Sequence, residues 1–260
     1  MRAAEEPAPA PCSAWSLQAA DLAAALVEEI ACWPDVPSHD HCVKDGSLVR
    51  IGPGRLVPRD HVSRPGDRAL LVGCAIGARL RPHHVLAGRS ALWVHIGTEF
   101  PDPIDLMTSS HRSALPAGTR VRNARFTPCD VEQISGAPVT TPARTAADLL
   151  RFEGAGAAAA AGTLVQVGLC TSEQIETHLR AAGGHRGTRR GLGLLETIHR
   201  DDEARLRACP EGTPRERAVH HARAIEQWAR GEPARLLLGP GPQASKAPEP
   251  STTLPSAVTR

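Results

Sequence analysis

Residues 136–152, GAPVTTPARTAADLLRF, constrain the fold more than any other stretch of this sequence. Pro138 and the β-branched residues after it disfavour helix and predict an extended segment. Thr141 is suited to a helix N-cap, and Pro142 then falls at the first helical position, where its missing N–H costs nothing. Alanines and Leu150 recur at helical spacing and supply a narrow apolar stripe. The stretch therefore predicts a strand, a cap and a helix in direct succession.

A charged group accompanies this junction. Arg144 and Asp148 are four residues apart and Arg151 follows three residues later, so the three side chains are close enough to pair on one helix face. Together with Thr141 and Thr145, Arg144 and Asp148 form a constellation with two interpretations. It would bind a ligand or partner, or it would fix the helix against the preceding strands. We favour the architectural interpretation, because an arginine paired with an aspartate at this spacing mainly stabilises its own helix.

Length and charge set the class of protein. A chain of 260 residues is long enough to bury a substantial core as one large or two small domains. Residues 1–62 carry nine acidic and five basic side chains, whereas residues 63–152 carry seven acidic and eleven basic ones. The formal net charge of +2 does not by itself indicate a nucleic-acid-binding protein. Any DNA contact therefore requires a local basic patch.

Cysteines and apolar runs indicate the compartment. The seven cysteines are scattered without a Cys-x-x-Cys pair, which favours free thiols in a reducing cytosol. The first residues are acidic and Pro-rich, so no signal peptide is predicted. The longest apolar run, residues 155–167, is too short to span a bilayer. We expect a cytoplasmic protein with no membrane partner.

The remaining periodicity predicts an α+β fold. Ser16 is expected to cap a helix that ends at residue 31, and Ser38 a helical turn through Val43. Two short strands around Gly52-Pro53-Gly54 predict a β-hairpin. Helix, short helix and hairpin follow one another in the order of a degenerate winged helix-turn-helix. The other predicted strands are one within 83–97 and four at 103–107, 119–126, 131–134 and 137–140. The other predicted helices are one at 67–80, a short one within 83–97, one that begins after residue 141, one that ends at 168, one that begins at 171, and two at 186–199 and 214–230.

Two sets of arginines are candidates for binding anions. The hairpin carries Arg50, Arg55 and Arg59, which a wing would place beside DNA phosphates, although a solvated hairpin edge explains them equally well. The densest basic cluster consists of Arg186, Arg189 and Arg190 among glycines. It would contact a phosphate or an acidic partner surface, or it would be a solvated helix start.

Other chemistry is not predicted. His95 precedes Ile96 and Gly97 without a visible nucleophile, so we expect a packed, hydrogen-bonded histidine. His39, His41 and Cys42 lack a second pair of ligands at zinc spacing, so no metal site is predicted. No P-loop, G-x-S-x-G, H-E-x-x-H or spaced carboxylate–lysine nuclease set is found. The sequence predicts neither catalytic residues nor a cofactor.

Three motifs stand out along the chain: LAGRSALWVHIG at 86–97, GAPVTTPARTAADLLR at 136–151 and GLCTSEQIETHL at 168–179. Together they resemble the AbiEi family, whose members are antitoxins of type IV toxin–antitoxin systems. Family members show a Thr-x-x-Arg-Thr-x-x-Asp pattern, matched by Thr141, Arg144, Thr145 and Asp148, and a small residue-Ala pair before a His-Gly, where this chain has Ser90-Ala91 and His95-Ile96-Gly97. The resemblance covers roughly residues 16–200 and implies a winged-helix N-terminus followed by an α/β antitoxin domain.

The resemblance also implies a function and a domain order. The chain would bind its own promoter DNA and counteract a cognate nucleotidyltransferase-like toxin, functionally rather than by direct contact. The alternative is a truncated or decayed relative of restriction-endonuclease-like DNA-cleaving proteins that retains only the accessory front domain. The expected organisation is a disordered leader at 1–14, a winged-helix-like module at 15–62, an AbiEi-like α/β antitoxin domain at 63–200, a helical extension at 201–230 and a disordered tail at 231–260.

Overall fold

The chain has an α+β fold with a mixed β-sheet. The structure is a computed structural model that describes residues 10–110, 118–154 and 156–208, with only the backbone described for 201–208. The helices of this part are α1 (Leu17–Cys32), α2 (Asp40–Asp45), α3 (Pro65–Ile76), α4 (Gly88–Ile96), α5 (Pro142–Phe152), α6 (Ala157–Gln166), α7 (Ser172–Ala181) and α8 (Thr188–Ala208). The strands are β1 (Leu48–Arg50), β2 (Leu56–Pro58), β3 (Val85–Leu86), β4 (Ile104–Thr108), β5 (Thr119–Asn123), β6 (Val131–Ile134) and β7 (Ala137–Thr140).

The strands form a hairpin and a five-stranded sheet. β1 and β2 pair antiparallel, with Val49 opposite Val57, as the sequence predicts. The larger sheet has the order β5-β4-β3-β7-β6, in which β4 is parallel to β5 and β3 is parallel to β7. Ser135 and Gly136 form the two-residue loop that joins β6 and β7. Their φ angles of 51° and 77° fit a type I′ turn, which needs positive φ at both positions. β7, which lies between β3 and β6, leads directly into α5.

The N-terminal elements share a core with the sheet. Buried side chains of α1, the hairpin, α3 and the sheet belong to one apolar cluster, which includes Ala23, Ile51 and Val139. Ser16 accepts the N–H of Ala19, so the predicted cap of α1 is confirmed. The leader predicted at 1–14 is wrong for its last residues, because Cys12 is fully buried against α3 and joins this cluster. Residues 1–9 lie outside the described part.

A second apolar cluster holds the C-terminal helices together. Its members come from α4 to α8 and include the fully buried Leu150, Leu164 and Ile175. α8 begins at Thr188 rather than at the predicted residue 186, since Gly187 has a φ of 84° and ends the preceding turn. α8 continues to Ala208, so the start of the extension predicted at 201–230 belongs to the same helix. The helix predicted at 214–230 and the tail predicted at 231–260 lie outside the described residues.

The opening junction folds as a strand followed directly by a helix. β7 ends at Thr140, Thr141 occupies the N-cap position and Pro142 is the first residue of α5. The predicted capping bond is wrong, because the Thr141 side chain accepts no bond from the first turn. The hydroxyl of Thr145 instead donates to the Thr140 carbonyl (3.1 Å) and lies 2.7 Å from the Thr140 hydroxyl. The junction is thus held by two buried threonines and by Pro142.

The predicted cap of the second helical segment is also wrong. Ser38 does not cap α2; it lies inside the 3-10 turn Pro37–His39.

The two threonines at N-cap positions, Thr141 and Thr171, are expected to respond differently to mutation. Thr171→Ala should lower the free energy of unfolding by about 1 kcal/mol, because Thr171 forms a reciprocal capping box with Gln174. Thr141→Ala should change it by less than about 0.5 kcal/mol, since no capping bond is lost. Urea unfolding of the two variants measures the difference directly. An equal loss in both would show that Thr141 does cap α5 in solution.

No helix in the described part of the chain is long and apolar enough to cross a membrane.

Candidate anion-binding cleft

A cleft of about 610 Å³ lies between the end of β5, the 3-10 turn Pro128–Asp130, α5 and α7. Arginine and histidine side chains outnumber carboxylates in the lining of this cleft. The basic residues are Arg122, Arg125, Arg144, Arg151, His178 and His185, and the acidic ones are Asp130 and Asp148. The four arginines alone outnumber the two carboxylates, so the lining carries an excess of positive charge.

α5 places three charged side chains along this cleft. Arg144 Nε lies 2.7 Å from Asp148 Oδ2, and Arg151 Nη1 lies 3.4 Å from Asp148 Oδ1. The predicted pairing on one helix face is confirmed. The Asp148 side chain is only 1 % exposed, so this carboxylate is buried between two guanidinium groups. Thr145 does not take part, because it faces the core beside Thr140.

Asp130 links α5 to its neighbours. Its Oδ2 accepts the backbone N–H and the hydroxyl of Thr127, which fixes the carboxylate at the start of the 3-10 turn. Its Oδ1 lies 3.3 Å from Arg144 Nη1 and 3.2 Å from His178 Nδ1. One carboxylate therefore joins the 3-10 turn, α5 and α7.

Burial and ion pairing act in opposite directions on these groups. Burial raises the pKa of the Asp148 carboxyl, although Arg144 and Arg151 oppose the rise. At Arg144 burial works against the charged form, but Asp148 and Asp130 outweigh it, so the pKa of this guanidinium is raised. The pKa of Asp130 is lowered, because the bonds from Thr127 and the charge of Arg144 outweigh its burial. Ion pairing therefore offsets the desolvation of these side chains and allows them to be buried in their charged forms.

A second ionic network, which was not predicted, lies beside the cleft. Glu153, which follows α5, binds three arginines: Arg89 Nε at 3.0 Å, Arg120 Nη2 at 2.6 Å and Arg122 Nη2 at 3.1 Å. Arg120 also pairs with the buried Asp105 on the neighbouring strand β4, directly across the parallel register. The alternating arginines of TRVRNARF were the available signal, because residues 120 and 122 of a strand share one face.

Arg122 and Arg151 are also close to one aromatic ring. Their guanidinium carbons lie 4.7 Å and 4.5 Å from the centre of the Phe152 ring. Such cation–π contacts hold guanidinium groups in fixed orientations. Phe152 therefore positions two of the cleft's four arginines.

The predicted cluster at residues 186–190 lies near this cleft but is not part of its lining. Arg186, Arg189 and Arg190 are all exposed. The Arg186 carbonyl accepts from Arg151 Nη2 (3.3 Å), and Arg190 Nη2 donates to the Gly154 carbonyl (3.3 Å). These contacts attach the start of α8 to the end of α5, while the charges of Arg186 and Arg189 face solvent.

The three predicted wing arginines lie elsewhere, and each has an intramolecular partner. Arg50 donates to both carboxylate oxygens of Asp35 (2.8 and 3.0 Å) and lies 3.4 Å from Asp40. Arg55 donates to the Cys74 and Ala75 carbonyls at the end of α3 (3.2 and 3.3 Å). Arg59 donates to the carbonyl of Gly46. All three side chains are nevertheless on the surface.

His95 is a packed histidine, as predicted. It is buried, and its Nε2 donates to the Thr140 carbonyl at 2.8 Å. Burial lowers its pKa to about 4, so the imidazole is neutral at physiological pH. The cysteines also match the expectation of free thiols, since the described ones form no disulfide. No group of three or more metal-ligating side chains occurs in the described ranges.

Comparison with known proteins assigns neither a family nor a function to this site. No family model matches the chain, and neither the curated proteins nor the solved structures contain a match.

Proposed function

We propose that this protein is a non-enzymatic antitoxin of the AbiEi type that represses its own promoter. The observation that carries the proposal is the order of the N-terminal elements. α1, a 3-10 turn with the short α2, and the antiparallel hairpin β1–β2 follow one another as in a degenerate winged helix-turn-helix. The motif at 86–97 includes α4, the motif at 136–151 includes β7 and most of α5, and side chains of α4 and α5 share one apolar cluster.

The hairpin is the proposed DNA contact. The Arg50 side chain is 49 % exposed, and exposed ion pairs are worth only about 0–1 kcal/mol, so a DNA phosphate would compete for this arginine with Asp35. Arg55 and Arg59 donate to backbone carbonyls and keep further N–H donors for phosphate oxygens. Asp35 and Asp40 weaken the attraction, because both carboxylates lie next to Arg50.

Replacing the three wing arginines with alanine should weaken promoter binding. Each lost phosphate contact should reduce the slope of log affinity against log salt concentration by about one unit. Gel-shift titrations across a salt series measure both quantities. Arg200→Ala is the matched control for each single wing variant, because it too removes one positive charge, from the exposed side of α8.

Asp35→Asn provides a test with the opposite sign. This change removes a negative charge and weakens the competition for Arg50, so promoter affinity should rise. Unchanged affinity and an unchanged salt slope in the triple arginine variant would remove the hairpin from the proposal. A loss in each single wing variant equal to that of Arg200→Ala would show that only the net charge matters.

The second half of the proposal concerns the toxin. We propose that residues 63–200 counteract a nucleotidyltransferase-like toxin functionally, without a stable complex. Co-expression with such a toxin encoded next to this chain should restore growth, and the two proteins should not co-purify. Failure of rescue by a well-expressed protein would overturn the antitoxin assignment. Co-purification at equal stoichiometry would overturn the functional mode of action.

A further inference from the structure

We propose that the cleft between β5, α5 and α7 binds the phosphate group of a small phosphorylated molecule. This site goes beyond the proposed regulatory function and lies apart from the hairpin. Its lining holds four arginines and two histidines against two aspartates. A concave surface with an excess of one charge sign concentrates ligands of the opposite sign. Arginine in particular matches the bidentate geometry of phosphate oxygens.

Several donors of the cleft are available to an anion. The side chains of Arg125 and His185 have no hydrogen-bond or ion-pair partner among the described residues. Arg125 is exposed at the edge of the cleft, and His185 lies on the loop before α8. Arg151 Nε is buried without an acceptor, the one such side-chain atom in the described part of the chain. A buried donor without an acceptor is costly, and an oxygen of a phosphate bound in the cleft would supply the acceptor.

The two carboxylates that face the cleft are already engaged. Asp148 is shared by Arg144 and Arg151, and Asp130 is shared by Thr127, Arg144 and His178. Arg122 is held by Glu153, but that carboxylate also serves two other arginines. The carboxylates are therefore saturated by donors, and the positive charge is not fully compensated. A dianionic phosphate would supply the missing negative charge.

The size and the apolar lining of the cleft indicate a small molecule. A volume of about 610 Å³ falls within the range of roughly 300–1,000 Å³ that is typical of ligand pockets. Met107, Ala147, Phe152 and Ala182 provide an apolar surface beside the arginines. These side chains would contact the organic part of the ligand, while the arginines bind its phosphate. A phosphate monoester such as a mononucleotide has both parts.

Isothermal titration calorimetry of the full chain tests this assignment with AMP, pyrophosphate, adenosine and a short single-stranded oligonucleotide as probes. AMP or pyrophosphate should bind, and adenosine should not. Arg125→Ala should weaken that binding about tenfold or more, because a hydrogen bond to a charged group is lost from the site. Arg180→Ala is the matched control. Arg180 is an exposed arginine on the adjacent α7 whose partner is Glu176, and its loss should leave affinity unchanged.

Arg151→Lys separates binding from folding, since the lysine keeps the charge beside Asp148 but loses the fork of donors. A variant with unchanged melting temperature and weakened phosphate binding would support the site. The assignment would be overturned if neither AMP nor pyrophosphate bound at millimolar concentration, if adenosine bound as tightly as AMP, or if Arg125→Ala had no effect. Binding of the oligonucleotide alone would also overturn it in favour of a nucleic-acid surface. Promoter binding by the hairpin should be unaffected by Arg125→Ala, so the two proposals fail separately.

Discussion

Asp148→Ala is expected to lower the free energy of unfolding by about 3–5 kcal/mol. The Asp148 carboxylate is almost completely buried and lies between Arg144 and Arg151. Its removal leaves two largely buried guanidinium groups with fewer partners, and Asp130 compensates only Arg144. Breaking one side of a buried ion pair costs far more than breaking an exposed pair, because the remaining charge stays desolvated.

Urea unfolding of Asp148→Ala and of Glu176→Ala measures this contrast. Glu176 forms the same i,i+4 type of pair with Arg180 on α7, but the Arg180 side chain is 73 % exposed, so the control should lose less than about 0.5 kcal/mol. The proposed toxin neutralisation and promoter binding should fall with the folded fraction and return on cooling. An Asp148→Ala protein that melts like wild type but no longer neutralises the toxin would make Asp148 a partner-contact residue and would contradict the architectural interpretation.

Local patterns predicted the elements around Asp148 well. Spacing along one helix face identified the pairing of Arg144, Asp148 and Arg151, and Pro142 fixed the start of α5. The hairpin around Gly52-Pro53-Gly54 was equally clear, because glycine and proline between two short segments with strand-like residues favour a tight turn. Interactions within about one helical turn or one tight turn depend on residues that are adjacent in the sequence. They can therefore be inferred from it.

The cleft itself could not be inferred in this way. Arg122 reaches Glu153 only because β5 pairs with β4 at the edge of the sheet, and no local pattern specified that strand order. Asp105 was hidden in the apolar run of β4, where its neighbours suggested a core position rather than an ion pair. The wing arginines show the same limit, since Arg55 bonds to the end of α3, nearly twenty residues away. Long-range partners decide which arginines remain available to ligands.

Arg68 provides the second large effect, and the reason is again a long-range contact. Arg68 is a buried residue of α3 whose guanidinium donates five hydrogen bonds to backbone carbonyls. Two of these bonds reach Val94 (2.9 and 2.7 Å) and one reaches His95 (3.3 Å), in the last turn of α4, while the others reach Val62 and Ser63. Carbonyls at a helix end lack partners within their own helix, and a cation there also interacts favourably with the helix dipole.

Arg68→Met should therefore lower the free energy of unfolding by about 3–5 kcal/mol, because it leaves several buried carbonyls unsatisfied. Burial lowers the pKa of Arg68 to about 10, so the arginine is still charged at neutral pH. Arg68→Lys should recover only part of the loss, since an ammonium group cannot reach both α4 and the turn at Val62.

Arg81→Ala is the matched control for this prediction. Arg81 also donates to carbonyls near a helical turn, those of Ala78 and Leu80, but it is exposed, so water replaces its bonds and the loss should stay below about 1 kcal/mol. Thermal and urea unfolding should agree on the order of the three variants. If Arg68→Met and Arg81→Ala lost equal stability, the guanidinium of Arg68 would not join α3 to α4 in solution. The position of α4, and with it the support of α5 beside the cleft, would then depend on apolar packing and on other polar contacts of α4, such as the bond from His95 to Thr140.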